Sequence, residues 1–284
     1  MKRTAAHGNF LGVTGGESGA AQPSGLETSR PNIARVYDYW LGGKDNFAAD
    51  RQEAERLLGT YPDLSRLARE NRLFLRRAVH WLAADRGIHQ FVDIGPGLPT
   101  ASNTHEVAQA AAPGSRVAYV DKDPVVVLHA AELLANDQDV IAVRGDAAEP
   151  AAIMADPRVS ALLRPDEPYA VILAAVLHFF PFEAARRIIA ELAAIAPPGS
   201  YLIVSVGSSG NNLAAEYTAA ALHNHTPDDI RELLAGLEIV DPPGLVDALY
   251  WEPMTPVTAS RRPEGRSVLA AVARMSPAGP TGSE

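Results

Sequence analysis

The chain has 284 residues, 47% of them hydrophobic, enough for one large domain or for a domain with an appendage. It contains no cysteine, which excludes disulfides, thiolate metal sites, a cysteine nucleophile and a cysteine-held iron–sulfur cluster. A formal net charge of −9 argues against a general affinity for nucleic acid and leaves room only for a local basic patch.

Residues 1–30 are rich in Gly, Ser and Ala, and their longest apolar run, FLGV, is far short of a signal-peptide core. A disordered tail is expected there, and another at the closing SPAGPTGSE (276–284). No segment approaches the ~20 apolar residues of a membrane span, so the expected setting is the cytoplasm. Residues 31–87 have a helical pattern, clearest over 63–85. There Leu64, Leu67, Ala68, Leu75, Ala78, Val79 and Leu82 share one side of a 3.6-residue period. Arg66, Arg69, Arg72, Arg76 and Arg77 share the other, which reads as a solvated face, with an anionic partner as the alternative. Asn71 interrupts the apolar stripe and is expected to be a hydrogen-bonded core amide.

From residue 90 the rhythm becomes strand, turn, helix. FVDI (91–94), RVAYVD (116–121), VIAVRGD (140–146), YAVILAAVLHF (169–179) and YLIVSVG (201–207) read as strands. Helices are expected over 104–112, 124–135, 182–196 and 226–237, and two late strands at LEIV and SVLAAVARM. Near-continuous apolar strands alternating with amphipathic helices predict an α/β fold whose parallel sheet is covered on both faces.

In FVDIGPGLPT (91–100), Gly95 and Gly97 let a ligand approach the main chain just after the first strand. A dinucleotide fingerprint G-x-G-x-x-G would need a third glycine where this chain has Thr100. The chain offers instead D-x-G-x-G, and strands two and three also end in acids, Asp121 and Asp146. A carboxylate suits a ligand carrying a sulfonium and an ammonium, and suits a pyrophosphate poorly. Asp121 is placed to accept from a ribose diol, and Asp146 from an exocyclic adenine amine. Together the three acids point to S-adenosylmethionine (SAM), against the plainer reading that each merely caps the following helix.

PNIARVYDYWLGGKDNFAAD (31–50), ENRLFLRRAV (70–79), FVDIGPGLPT through NTHEVAQ (91–109), AYVDKDPVVVLHA (118–130) and AAVLHFFP (174–181) together resemble an actinobacterial-type family of S-adenosyl methyltransferases of unknown substrate, formerly a domain of unknown function. The resemblance covers roughly residues 31–275 and rests above all on YDYWLGGKDN and GLPTxxNxHEVAQ. It implies a class I methyltransferase fold, a Rossmann-like sheet of about seven strands at 88–275, with an N-terminal helical cap at 31–87. It supplies no substrate. The chain departs from the family pattern at PFEAARR (181–187) and at GDAAEP (145–150), the first beside the expected reaction site.

On this basis Asp93, Gly95, Pro96, Gly97, Asp121, Lys122, Asp146 and Ala147 are expected to line the cofactor site. In this fold the methyl acceptor approaches near the end of the fourth strand, where His178 is the titratable residue and a candidate base with a reference pKa of about 6.5. A histidine simply packed and hydrogen-bonded is the competing reading. Phe179 and Phe180 are positioned either to wall an aromatic acceptor or to fill core. Tyr37, Tyr39 and Lys44, around the Gly42–Gly43 pair, suit a lid over the ligand. A helix C-cap followed by a surface turn explains the same glycines, and the resemblance favours the lid. The sequence therefore predicts a SAM-dependent methyltransferase acting on a small oxygen or nitrogen nucleophile. Its rivals are a non-catalytic SAM-binding protein and, further off, a nicotinamide-dependent oxidoreductase.

Overall fold

The computed structural model describes residues 28–99, 102–134, 137–208, 218–257 and 266–275. The expected tails, apart from residues 28–30, and the Thr100 position lie outside the described residues. Three helices come first: α1 (Ile33–Leu41), α2 (Ala48–Thr60) and α3 (Leu64–Asp85). Alternating elements follow: β1 (Gln90–Ile94), α4 (Thr104–Ala111), β2 (Arg116–Asp121), α5 (Pro124–Leu133), β3 (Val140–Arg144), α6 (Pro150–Ala155), α7 (Pro157–Leu162), β4 (Ala170–Ala174), α8 (Phe182–Ile195) and β5 (Tyr201–Ser208). The chain ends with α9 (Pro227–Leu233), β6 (Glu238–Ile239), β7 (Val246–Asp247) and β8 (Ser267–Arg274).

The sheet runs β3-β2-β1-β4-β5-β8-β6, with short β7 pairing β8. β1 to β5 are parallel, and β8 enters antiparallel beside β5. Strand order reverses between β1 and β4, which leaves a crevice outside their carboxyl ends. One apolar layer is centred on Val92, Val171, Val204 and the inner face of α8; the other is centred on Phe91, Ile172, Val272 and α3. A third cluster, Val36, Trp40, Leu57, Tyr61 and Leu64, joins the first three helices. Within it Arg35 and Asp50 form a buried ion pair at 2.7 Å. Among the described residues no helix is long and apolar enough to cross a membrane.

Several elements differ from their sequence expectation. The fourth strand stops at Ala174 instead of reaching Phe179. Ala175 takes φ +58, and its N–H goes to the Ser205 carbonyl (3.0 Å) and hydroxyl (2.9 Å), which ends the ladder with β5. Residues Leu177–Phe179 then form a tight 3₁₀ turn. β3 ends at Arg144, so Gly145 and Asp146 lie beyond it. Short α6 and α7 carry readable signals that periodicity missed, a proline in the first turn of each and Asp156 capping α7 through the Arg158 N–H.

The arginine face also needs correction. Arg66, Arg69 and Arg76 are exposed, but Arg77 donates to the carbonyls of Trp251 (2.7 Å) and Ala248 (2.6 Å). Arg72 turns to the crevice. The helix is enclosed on two sides, by the sheet and by the loop at Trp251, so its polar face is narrower than a period count suggests.

Candidate active site

A cavity of about 290 Å³ opens at the carboxyl ends of β1 to β4 and runs beneath α1 and α3. Asp93, Asp121 and Asp146 all line it. So do Gly95, Pro96, Gly97, Lys122 and Ala147.

The bend after β1 depends on two left-handed glycines, Gly95 at φ +71 and Gly97 at φ +69. A Cβ on Gly95 would sit 2.8 Å from Val176 Cγ2, whereas one on Gly97 would meet none of the described residues within 4 Å. The first glycine is required by packing; the second leaves main chain open to the cavity. The Gly95 N–H donates to the Val120 carbonyl at 2.8 Å and ties the bend to β2.

The three acids differ in environment. Asp93 is 2% exposed, and its Oδ2 accepts from the Thr104 hydroxyl at 2.6 Å. Burial pushes its carboxyl up to about 6, against the Thr104 hydrogen bond and the Arg72 charge, with Asp121 adding to the rise. Asp121 is also raised by burial, opposed first by the N–H of Asp123, which donates to its Oδ1 at 2.9 Å. Asp146 is exposed and accepts from the Ala148 N–H at 2.9 Å. The capping interpretation therefore describes local bonds of Asp121 and Asp146, while all three acids still converge on one space.

Beyond Ala174–Val176 the cavity continues to His178, Phe179, Phe180 and Trp40. His178 Nδ1 is buried and makes no hydrogen bond among the described residues. Burial, reinforced by His225, pushes the imidazole down to about 4, away from the value of about 6.5 that made it attractive as a base. The Tyr37 hydroxyl donates to the Ala68 carbonyl (3.2 Å) and accepts from Asn71 Nδ2 (3.1 Å). Asn71 Oδ1 in turn accepts from Ser205 at 2.6 Å. Asn71 is thus a satisfied core amide, but it also lines the cavity. Asn32 caps α1 and reaches across to Asp123 Oδ2 at 2.7 Å, joining the first helix to the end of β2.

A model of the S-adenosyl methyltransferase family matches residues 19–276. The chain belongs to this family. Its cofactor is SAM and its activity is SAM-dependent methyl transfer, so the nicotinamide alternative falls. The methyltransferase chain is similar to the crystal structure of a protein from Thermobifida fusca YX assigned to the methyltransferases. The two are 37% identical, with a TM-score of 0.80, over 89% of this chain and 98% of that one. It is equally similar to a duf574 family protein from Streptomyces avermitilis MA-4680, 36% identical, TM-score 0.80, over 88% of this chain and 99% of that one. No match was found among proteins with curated functions. The strand order identifies the methyltransferase as a class I Rossmann-like fold.

The expected lid is corrected by the structure. Tyr39 and Lys44 do not line the cavity: Tyr39 donates to Glu55 at 2.8 Å and Lys44 is exposed. Only Tyr37 of that trio reaches the cavity. The glycines form a helix stop, with Gly42 at φ +83 donating to the Tyr39 carbonyl at 2.9 Å. Asp38 folds back to accept from the Asp45 N–H (3.0 Å) and Asn46 Nδ2 (2.9 Å), and a Cβ on Gly43 would fall on its carboxylate. Gly43→Ala is therefore expected to cost about 1–3 kcal/mol by forcing this turn open. Urea unfolding measures that loss, whereas Gly59→Ala, inside α2 with none of the described residues within 4 Å, serves as the control and is expected to stabilise by up to about 1 kcal/mol.

Arg72, Asn32 and Asp123 are cavity residues that sequence reading did not select. The Asn-Arg pair inside a helix was visible, but which of its neighbours it would meet depends on how α3 is rotated against the sheet. The Asp-Pro step at 123–124 was visible too, as a helix start rather than as a site.

Proposed function

We propose that this methyltransferase transfers the methyl group to an oxygen or nitrogen of a small molecule. In this reading Asp93, Gly95, Pro96, Gly97, Asp121, Lys122, Asp146 and Ala147 hold SAM, and His178 and Tyr37 face the acceptor. The observation that carries it is the continuity of the cavity, which runs from the three acids past the end of β4 to an aromatic wall. The chain's negative charge disfavours a nucleic acid as acceptor.

SAM supplies an activated methyl group on a positively charged sulfur, so the protein's work is alignment and exclusion of water. Asp93 and Asp121 are set to face the ligand's cationic and diol groups, and the open main chain at Gly97 allows close approach. The apolar walls from Trp40, Phe179 and Phe180 keep bulk water from the transfer path. His178 is neutral at physiological pH, so its Nδ1 accepts a hydrogen bond from the acceptor's O–H or N–H and takes up that proton as the methyl arrives. Its low basicity makes it an orienting group before transfer and a proton acceptor only late in it.

Calorimetry with SAM and a metabolite-extract screen with isotope-labelled methyl donor test the assignment. Labelled product from an apolar hydroxyl or amine compound, lost at least tenfold in kcat with unchanged SAM affinity in His178→Gln, is the expected result. Unchanged turnover in that variant would remove His178 from the reaction.

A further inference from the structure

We propose that this chain pairs with a second copy of itself across the open edge of its sheet, β3 against β3, with α5 packed on α5 beside the seam. The proposal does not depend on which acceptor is methylated.

β3 ends the strand order on its side of the sheet and pairs with β2. The Asp139 carbonyl accepts from the Val117 N–H at 2.9 Å, and the Gly145 N–H donates to the Asp121 carbonyl at 3.1 Å, both toward β2. Alternation along the strand therefore turns the N–H and C=O groups of Val140, Ala142 and Arg144 to the open side. The first four residues, Val-Ile-Ala-Val, include none of the charges or prolines that blunt a solvent-facing edge.

α5 carries a second surface of the same kind. It packs against β2 and β3, and Val126 and Ala130 are buried. Pro124, Val127, Leu128 and Ala131, spaced i, i+3, i+4 and i+7, form a different stripe. Leu128 is 41% exposed, Pro124 and Ala131 are exposed, and Val127 is half-buried. A helix that is apolar on both sides is ordinarily enclosed on both.

Charge identifies the occupant. The edge is acidic where β3 begins, at Asp137 and Asp139, and basic where it ends, at Arg144. Arg144 is exposed and forms no ion pair among the described residues; its Nε donates to the Lys122 carbonyl at 3.3 Å. Asp139 lies 3.9 Å from Arg116. A two-fold axis normal to the sheet through Ala142 runs the two strands antiparallel and sets the basic end of each edge against the acidic end of the other. The same axis keeps both α5 helices on one face of the joined sheet, stripe to stripe. A parallel pairing would instead set like charges together.

Analytical ultracentrifugation of the full chain is expected to give a dimer at micromolar concentration. Leu128→Glu should return it to one chain, as should Ala142→Pro, which removes an N–H from the open side and none from the β2 ladder. Unchanged circular dichroism and SAM affinity show that these variants are folded. Arg144→Asp should weaken the dimer about tenfold, because the contact occurs twice and turns repulsive, and adding Asp139→Arg should restore most of the loss. A dimer untouched by all of these changes overturns the proposal, as does a wild-type monomer. A monomer that Leu128→Glu destabilises would assign the α5 stripe to a segment of the same chain.

Discussion

Asp93→Asn is expected to give a protein that is more stable without ligand and binds SAM poorly. The carboxyl is 2% exposed, and its folded pKa is about 6 against an ordinary value of 3.8. Between those two values the native state keeps a proton that the unfolded chain has released. Stability therefore falls as pH rises through that window and stays reduced above it. That difference corresponds to about 3 kcal/mol, lessened if the amide bonds Thr104 less well than the carboxylate does. The neutral amide should recover about 1–3 kcal/mol at pH 8, a rise of several degrees in Tm, and almost nothing at pH 4. Ligand binding should change in the opposite sense. Wild-type affinity for SAM is expected to fall as pH drops below about 6 and Asp93 takes up its proton, whereas the variant should bind weakly at every pH. Thermal unfolding and calorimetry across pH 4–8 check both halves. A variant destabilised at pH 8 that binds SAM normally would show that Asp93 serves the fold and not the ligand.

Gly95→Ala should be the most damaging single methyl in the site. Two costs fall on it together. The backbone sits at φ +71, where an L side chain is strained by about 1–2 kcal/mol, and the new Cβ would meet Val176 Cγ2 at 2.8 Å. Val176 is 6% exposed and β-branched, so it has little freedom to turn away. Adding about 1–3 kcal/mol for overpacking gives a loss of about 2–5 kcal/mol. SAM affinity should fall at least tenfold as the bend separates from the end of β4. Val176→Ala alone leaves a cavity and costs about 1–3 kcal/mol. Combined with Gly95→Ala it should relieve the clash but not the backbone strain, so the double variant is more stable than the sum of the singles predicts. Strict additivity in urea unfolding would mean that Val176 does not restrain the bend.

These two positions show how far local sequence reaches. D-x-G-x-G after an apolar run marks a strand end and a tight bend because both depend on neighbours within a few residues. The same holds for Asp121 and for the continuous apolar strands of a sheet covered on both faces. The alternation of strands and helices made the α/β fold legible, and parallel strands with intervening helices leave their carboxyl ends on one side. The convergence of Asp93, Asp121 and Asp146 on one cavity follows from that topology.

Other features were set by contacts that no window of sequence contains. The end of β4 is fixed by Ser205, which captures the N–H of Ala175 from the neighbouring strand. Without that contact YAVILAAVLHF reads as one long strand. The basicity of His178 is a property of its burial and of His225, so its type and position alone suggested the wrong value. The YDYWLGGKDN segment looked like a lid because Tyr, Gly and Lys are common at closing loops. Asp38 folding onto the turn made it a rigid helix stop and carried Lys44 away from the cavity.

Sequence by itself determined the sheet, the glycine bend and the acids at the strand ends, since each follows from chain-local periodicity or spacing. Only the tertiary structure decided which residues meet them from a distance. Asn32 reaches Asp123 across 91 residues and Ser205 reaches Asn71 across 134, and Arg72 is turned to the bend by the docking of α3. The physical reason is that a side chain's partner, and with it its charge state, depends on the rotation of whole elements against one another, which packing of the complete core sets.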